Sequence, residues 1–448
     1  MRRYEIAVNQ HRQRILEAFD FFWKHPETGY REWKTAEYLQ NAFEALGYTL
    51  TLAGDIPGFY TDVDTGRPGP TVAVMGELDG LLCPTHPDAD PATGAVHCCG
   101  HGAQIAALLG IAAALKEPGV LDALSGKIRL MAVPAEELIE TPYRQQLQKQ
   151  GIIRYLGGKV EFLHRGYFDG VDMAFMIHTA NRPEEKSGYI VGGGNGCIVK
   201  NMEFQGVAAH AGGTPHQGVN ALYAANLAMN AVNALRETFQ DQDHIRFHPI
   251  ITSGGESVNA IPDRVQMESY VRGATMDAIV EANRKVNRAI AASAAAMGAK
   301  VRLQDIPGYH PIRNDKTMMK LMQQAMEQVL DTVVCEPQTI RSGCSDVGDL
   351  SGIMPLIHPY ISGAQGRSHG NDYYVTDPDT ACVKSAQVQL CFLHLLLSGD
   401  AAGARQVLQE YTPLYPDKES YFRLMDGLNI DVQAVSYEDS GNITLNLA

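Results

Sequence analysis

Three apolar segments, each ending in polar residues, constrain the fold of this chain more than any other feature of its sequence. They are TVAVMGELDG (71–80), GKIRLMAVPAEE (126–137) and VDMAFMIHT (171–179). A helical pattern, HGAQIAALLGIAAALKEPGV (101–120), lies between the first two and ends at Pro118-Gly119. Buried strands that alternate with helices predict an α/β fold with a doubly wound, mostly parallel sheet.

The ends of these predicted strands carry the residues that could do chemistry. In a doubly wound sheet, ligands bind beyond the carboxyl ends of the strands. Four polar residues are predicted to lie there: Asp79, Glu136, Glu137 and His178. Cys99 and His101 open the helix that follows the first strand. The sequence therefore predicts a functional site at this edge of the sheet.

The residue types at this edge suit a metal site. Cys99 and His101 offer a thiolate and an imidazole, which both bind zinc and similar divalent ions. Taken alone, the pair is more typical of a buried thiol beside a surface histidine. His369 lies in the loop GRSHGNDYY, where an exposed histidine is also common. Together, one Cys, three His and one Glu could form a two-metal site in which metal-bound hydroxide attacks a carbonyl.

A change in sequence pattern near residue 196 indicates a second domain. The segments GCIVKNMEFQGVAAHAGG and DRVQMESYVRG alternate like half-exposed strands, and a long helical run lies between them. A second, Ala-rich helix is predicted at 277–297. We therefore predict a smaller α+β domain at 196–311, inserted into a larger domain made of 1–195 and 312–448.

The composition restricts the partners and the compartment. The 37 basic and 51 acidic residues give a net charge of −14, which disfavours nucleic acids and anionic membranes as partners. We found no run of eighteen apolar residues and no secretory apolar core at the N-terminus. The eight cysteines are scattered, which is typical of reduced thiols, so a cytoplasmic location is expected.

Seven segments of the chain occur in the order that one known family shows. They are HPETGYREWKTAEYL (25–39), GELDGL (76–81), HCCGH (97–101), PAEE (134–137), GGKVEFLHRGYFDGVDMAFMIH (157–178), GVAAHAGGTPHQGVNAL (206–222) and GGESVNAIPDRVQMESYVRG (254–273). Together they resemble the metal-dependent amidohydrolases of the aminoacylase/carboxypeptidase group, a zinc-peptidase family. The branch contains hippurate hydrolases, auxin-conjugate hydrolases and p-aminobenzoyl-glutamate hydrolase, and SGCSDVGDLSGIMP (342–355) resembles the last of these.

The resemblance implies a fold and a set of metal ligands. It implies a zinc-peptidase-like catalytic domain with a central mixed, mostly parallel sheet, interrupted by a lid domain that forms a homodimer. By motif match, Cys99 would bridge two divalent metal ions, with zinc or manganese as the first candidates. His101 and His178 would complete one metal, and Glu137 and His369 the other.

The same resemblance implies roles for residues outside the ligand set. Glu136 would be the general base and later the acid, and Asp79 would orient a ligand. His210 would reach into the partner subunit's site and polarise the scissile carbonyl. Asn259 and Arg272 would hold substrate oxygen atoms or a carboxylate, although Arg272 is equally typical of a surface salt bridge.

The implied activity is hydrolysis of the amide bond in small N-acyl or N-aroyl amino acids, with compounds like p-aminobenzoyl-glutamate first. A dipeptidase or carboxypeptidase is the alternative within enzymes. A non-catalytic binding protein on a degraded scaffold is the alternative from another class. The intact set of Cys, His and Glu residues argues against that last interpretation.

Three segments of the chain depart from the family pattern. Gly102-Ala103-Gln104 stands where the branch usually has Asp-Gly-His, so a substrate contact or a supporting hydrogen bond could change. The polar segment 138–156 is inserted after the glutamate pair, and we expect it to form one wall of the substrate mouth. The stretch 401–448 extends past the usual end, and a helix packed on the catalytic domain is predicted there.

Overall fold

The computed structural model describes residues 3–181 and 187–447, which form two compact units. The described residues of the first unit lie within Met1–Gly193, Arg313–Thr339 and Asp349–Leu414. Those of the second unit lie within Gly194–Ile312, Ile340–Gly348 and Tyr415–Ala448. Each unit contains a sheet and its own apolar core.

The first unit is built on a six-stranded mixed sheet. Its strands follow the spatial order Thr51–Leu52, Phe59–Asp64, Lys127–Val133, Thr71–Glu77, Met173–Phe175 and Leu356–Ile357. The last four strands of this order are parallel, and the first two are antiparallel to their neighbours. Every residue of Thr71–Glu77 is buried, as expected for a parallel strand covered on both faces. The predicted α/β fold with a mostly parallel sheet is confirmed.

The helix that follows the first predicted strand lies wholly inside this unit. It spans His101–Ala114, and each of its residues is buried. A helix surrounded by protein needs no polar face, which explains why its sequence is apolar on all sides. A second apolar helical segment, Asp379–Glu410, has the length and composition of a membrane span, and 83% of its most apolar window is buried inside the protein.

The other elements of the first unit are short strands and further helices. The helices are Arg3–Gln10, Arg12–Lys24, Trp33–Ala45, Thr141–Lys149, Gly158–His164, Lys316–Met326 and Ser385–Glu410, the last preceded by a π-helical turn at Asp379–Lys384. The strands are Leu81–Leu82, Ala95–Val96, His178–Thr179, Tyr360–Ile361, Ala364–Gln365 and Tyr374–Val375. Four elements continue from one unit into the other: Ser187–Gly194, Ile312–Arg313, Thr332–Arg341 and Val347–Ser351.

The second unit is an antiparallel sheet with helices. The strands follow the order Arg246–Phe247, Arg264–Gly273, Gly196–Gln205, Lys300–Pro307, Ile430–Tyr437 and Ile443–Leu445, and Ile250–Ser253 also pairs with Arg264–Gly273. The helices are Ala221–Ala234, Met276–Ala296 and Lys418–Gly427, with single 3₁₀ turns at Pro215–Gln217, Arg236–Thr238 and Asp241–Asp243. Asn220 and Thr275 cap the two longer helices by accepting backbone N–H groups of the first turn.

The C-terminal segment departs from the sequence prediction. We assigned all of 312–448 to the larger domain and expected its end to pack there as a helix. The strand Ile430–Tyr437 instead pairs antiparallel with Lys300–Pro307 of the second unit, and Ala434 and Val435 are buried in that unit's core. The free edge of an antiparallel sheet accepts a strand from anywhere in the chain, so local pattern did not reveal the partner.

Candidate metal centre

The carboxyl ends of three parallel strands meet at one edge of the first unit's sheet. Thr71–Glu77 lies between Lys127–Val133 and Met173–Phe175 and is parallel to both. Asp79 comes two residues after the first of these strands, Glu136 and Glu137 follow the second, and His178 follows the third. The strand ends predicted from the sequence are therefore neighbours.

A tight turn places Cys99 and His101 beside these strand ends. Gly100 has φ +107°, and a Cβ at this position would lie 2.6 Å from the hydroxyl of Tyr373. Only glycine adopts this conformation and leaves that space, so Gly100 allows the chain to turn into the helix at His101. Nδ1 of His101 donates to the backbone carbonyl of Asp79 at 2.8 Å, which directs Nε2 toward the other candidate ligands.

The donor atoms form three groups in which all atoms lie within 4.8 Å of one another. The groups are Cys99, His101 and His178; Cys99, Glu137 and His369; and Glu77, His101 and Glu136. The first two groups share the Cys99 thiol, whose Sγ lies 3.4 Å from Nε2 of His178. Nε2 of His369 lies 3.3 Å from Oε1 of Glu137. The structure thus brings together all five residues that the sequence predicted as ligands, around one shared sulfur.

The chemistry of this donor set fits divalent cations. A thiol, three imidazoles and a carboxylate are the usual ligands of zinc and related ions. Nε2 of His101 is buried and, within the described residues, has no hydrogen bond of normal geometry. It faces carboxylate oxygens of Glu77 at 3.2 Å and Glu136 at 3.8 Å. A buried imidazole nitrogen without a hydrogen bond is costly unless it gains a partner, and a divalent cation bound there would be one.

Burial and neighbouring charges set the protonation of these groups. Burial raises the pKa of the Cys99 thiol and of the Glu136 carboxyl well above their ordinary values. Burial also raises the pKa of Glu137, but the hydrogen bond and charge of His369 outweigh it, so the pKa falls to about 2. Burial and the charge of His101 lower the pKa of His178 to about 4, which favours the neutral imidazole that binds metals. A cation at this place would stabilise the Cys99 thiolate.

The sequence analysis missed a buried charged network beside these ligands. Nζ of Lys159 lies 2.5 Å from Oε1 of Glu77, and the amide of Gln104 donates to Oε2 of Glu77 at 2.8 Å. Lys159 and Glu77 are at most 1% exposed. Gln104 is one of the residues that depart from the family pattern. Its amide therefore hydrogen-bonds to a carboxylate next to His101. The sequence feature that could have indicated this network is Glu77, a glutamate at the end of a strand that is otherwise apolar.

The residues beside Cys99 support the site through their backbone or by packing. The carbonyl of Cys98 accepts a hydrogen bond from the backbone N–H of His369 at 3.0 Å, which ties the His369 loop to the Cys99 turn. His369 has φ +64°, and its side chain is 54% exposed. His97 is fully buried, and burial lowers its pKa to about 3, so its imidazole is neutral.

The remaining predicted site residues lie in the second unit. His210 is exposed, and its Nδ1 accepts the backbone N–H groups of Gly212 and Gly213, so Nε2 carries the proton. The backbone carbonyl of Asn259 accepts from Ala211, which places His210 and Asn259 on adjoining loops. The guanidinium of Arg272 lies 5.1 Å from the ring of Tyr270. The catalytic role of His210 and the substrate-binding roles of Asn259 and Arg272 stay predictions.

Known proteins are similar to this chain in sequence over most of its length. The model of peptidase family M20/M25/M40 matches residues 60–394. An Xaa-Arg dipeptidase of Mus musculus is 26% identical over 384 residues, which covers 83% of this chain and 82% of that protein. A p-aminobenzoyl-glutamate hydrolase polypeptide of Escherichia coli is 30% identical over 278 residues, or 60% of this chain and 53% of that one.

The fold also matches a solved structure. A dinuclear metal-binding peptidase from the M20 family of Bacillus subtilis covers 87% of this chain and 99% of its own, with 20% identity and a TM-score of 0.64. At this identity the match supports the fold alone, whereas the family model spans well over half of the chain. The chain belongs to the M20/M25/M40 peptidase family and is a hydrolase of the peptidase and amidohydrolase type.

Proposed function

We propose that this chain hydrolyses the amide bond of N-acyl or N-aroyl amino acids in a reaction that requires two divalent cations. The observation that carries the proposal is the Cys99 thiol shared by two donor groups, with the Glu136 carboxyl beside them. The similarity to the p-aminobenzoyl-glutamate hydrolase of Escherichia coli makes p-aminobenzoyl-glutamate the first substrate to test.

The five ligands divide between the two cations in this proposal. Cys99 would be shared, His101 and His178 would hold one cation, and Glu137 and His369 the other. Cations at these places would lower the pKa of a water molecule and polarise the scissile carbonyl. Zinc and manganese are the first candidates, because the set combines sulfur, nitrogen and oxygen donors.

Glu136 would move the protons of the reaction. Its carboxyl is buried, and Oε2 lies 3.8 Å from Nε2 of His101. Glu136 would take a proton from the attacking water and pass it to the amide nitrogen as the C–N bond breaks, giving a carboxylate and an amine.

The second unit would hold the substrate. Nε2–H of His210 would donate to the scissile carbonyl oxygen, in the site of a partner subunit of a homodimer. Asn259 would hold a substrate oxygen, and the planar guanidinium of Arg272 would bind the carboxylate of the amino-acid portion. The second unit would act as a lid that closes over a bound substrate.

Metal removal and one substitution test the proposal. We expect protein treated with a chelator to lose hydrolysis of p-aminobenzoyl-glutamate and to regain it with Mn²⁺ or Zn²⁺. Glu136→Gln should keep its metal and lose activity by about 100-fold or more, because it cannot accept the proton. Undiminished activity in fully metal-stripped protein would contradict the proposal.

A dipeptidase is the second candidate, because the mouse Xaa-Arg dipeptidase is similar over 83% of this chain. A substrate panel separates the two candidates. It contains p-aminobenzoyl-glutamate, N-acetyl amino acids, and dipeptides with acidic or basic C-terminal residues. A kcat/KM that is highest for dipeptides would favour the dipeptidase, and one that is highest for aroyl or acyl amino acids would favour our proposal.

A further inference from the structure

The inserted segment 138–156 carries an arginine that lies inside the protein, against the loop that holds Glu136 and Glu137. Arg144 belongs to the helix Thr141–Lys149 and is 1% exposed. Nη1 donates to the carbonyl of Leu156 at 2.7 Å and to that of Ala135 at 3.4 Å, and Nη2 donates to the carbonyl of Glu137. One guanidinium therefore reaches the backbone carbonyls on both sides of Glu136.

The loop that Arg144 contacts adopts an unfavourable backbone conformation. Ala135 has φ +57°, which residues other than glycine rarely adopt without support from their surroundings. The backbone N–H of Ala135 donates to Oε1 of Glu32 at 2.7 Å, and that of Glu137 donates to Oδ2 of Asp79 at 2.8 Å. Arg144 binds the carbonyls of Ala135 and Glu137. Each backbone neighbour of Glu136 is therefore held both at its N–H group and at its carbonyl oxygen.

The space around the guanidinium is shaped to hold it. Gly29 leaves no room for a side chain, because a Cβ there would overlap Nη2 of Arg144 and lie 2.9 Å from Cα of Ala135. The ring of Tyr30 lies 5.5 Å from the guanidinium carbon of Arg144. Glu32, whose carboxyl accepts the backbone N–H of Ala135, is 0% exposed. A buried arginine with this surrounding is typical of a fixed structural contact between two parts of a site.

We propose that Arg144 is a positioning residue that sets the direction of the Glu136 and Glu137 side chains. The inference rests on the proposed function and deepens it, because it gives the inserted segment a part in the proton transfer. Charge-assisted hydrogen bonds are about twice as strong as neutral ones, and the planar guanidinium binds several carbonyls at fixed angles. A lysine offers a single charged nitrogen and could replace only part of this contact.

The experiment uses the full-length, metal-loaded enzyme with Arg144→Met and Arg144→Lys. Arg154 lies in the same inserted segment and is exposed, so Arg154→Met is the matched control. We expect Arg144→Met to lower kcat by about 100-fold at unchanged KM and metal content, because a small displacement of a catalytic group has that effect. Arg144→Lys should recover part of kcat, and Arg154→Met should keep wild-type values.

Further measurements separate positioning from a loss of folded protein. The folded fraction and the two metal equivalents are measured for each variant, and kcat is expressed per folded, metal-loaded molecule. In Co²⁺-loaded protein, Arg144→Met should also shift the visible absorption bands, since Glu137 is a proposed ligand. If Arg144→Met does not fold, the kcat of Arg144→Lys per folded, metal-loaded molecule is compared with the wild-type value instead.

The outcomes distinguish this inference from the proposed function. A kcat per folded molecule that equals the wild-type value in Arg144→Met or, failing that, in Arg144→Lys overturns the inference. A loss that disappears after correction for folding and metal content also overturns it, because the role is then structural only. Full activity in Glu136→Gln instead overturns the proposed function, whatever the Arg144 variants do.

Discussion

The two adjacent cysteines illustrate how differently neighbouring residues can serve one site. The Cys99 thiol lies among the histidines and Glu137, whereas Cys98 contributes its backbone carbonyl to the His369 loop and keeps its thiol buried. The sequence alone left a metal site and a buried thiol beside a surface histidine open for Cys99. The structure shows that the Cys99 thiol, next to the turn at Gly100, lies with the candidate ligands.

This difference predicts opposite outcomes for two matched substitutions. Cys99→Ala should lower the metal content from two equivalents, because both proposed sites lose their shared ligand. Cys98→Ala should keep the metal, because its contact with His369 uses only the backbone. Metal analysis of both variants, purified without chelator, makes the comparison. Equal metal contents in the two variants would exclude Cys99 as the bridging ligand.

At the scale of elements, three of them meet at one buried ion pair. Glu77 ends the strand Thr71–Glu77, Lys159 lies in the helix Gly158–His164, and Gln104 lies in the helix His101–Ala114. The apolar runs predicted the strand and the helix that begins at His101, since buried parallel strands and buried helices leave continuous apolar sequence. The ion pair was not predictable, because its partners are 82 residues apart and the glutamate at the strand end does not show which cation pairs with it.

The ion pair predicts a large loss of stability when its cation is removed. Lys159→Met should lower the free energy of unfolding by about 3–5 kcal/mol, because it leaves the Glu77 carboxylate buried without a counter-charge. Lys149→Met is the control, since Lys149 is exposed at the end of the helix Thr141–Lys149. Urea denaturation of the metal-loaded proteins measures both changes. A change below about 1 kcal/mol for Lys159→Met would contradict this account.

The segment 138–156 shows what sequence reasoning at this scale could not reach. Its polar composition predicted a wall of the substrate mouth, which stays a prediction, but it gave no sign that Thr141, Arg144 and Leu147 are buried. An arginine that binds backbone carbonyls leaves no partner residue to find in the sequence, because every residue has a carbonyl. The candidate ligands were recognisable from their motifs, whereas the groups that hold those motifs in place were visible only in the structure.

At the scale of the whole molecule, the proposed machinery is divided between two units. The candidate ligands and Glu136 belong to the first unit, and His210, Asn259 and Arg272 belong to the second. The change of pattern near residue 196 lies close to the start of the second unit at Gly194, because the alternating strands differ from the buried runs before them. The C-terminal strand was not predictable, since its residues are only partly buried and its partner lies about 130 residues earlier in the chain.

The proposed homodimer predicts that two inactive variants restore activity when mixed. Glu136→Gln lacks the base, and His210→Ala lacks the group proposed to act in the partner subunit's site. In a mixed dimer, the His210→Ala subunit keeps its own Glu136 and receives His210 from its partner. Random exchange of subunits should therefore restore roughly a quarter of wild-type activity. Dimers of each variant alone, kept at the same concentration, are the controls.

The alternative gives a different result in the same mixture. If His210 serves the site of its own chain, every subunit in the mixed dimer lacks one essential group, and no activity returns. Exchange is followed by mass measurement of differently tagged subunits, so that absence of activity is interpreted only where mixed dimers have formed. A monomeric mass for the wild-type enzyme at working concentration would also refute the action of His210 across subunits, because no partner would then be present.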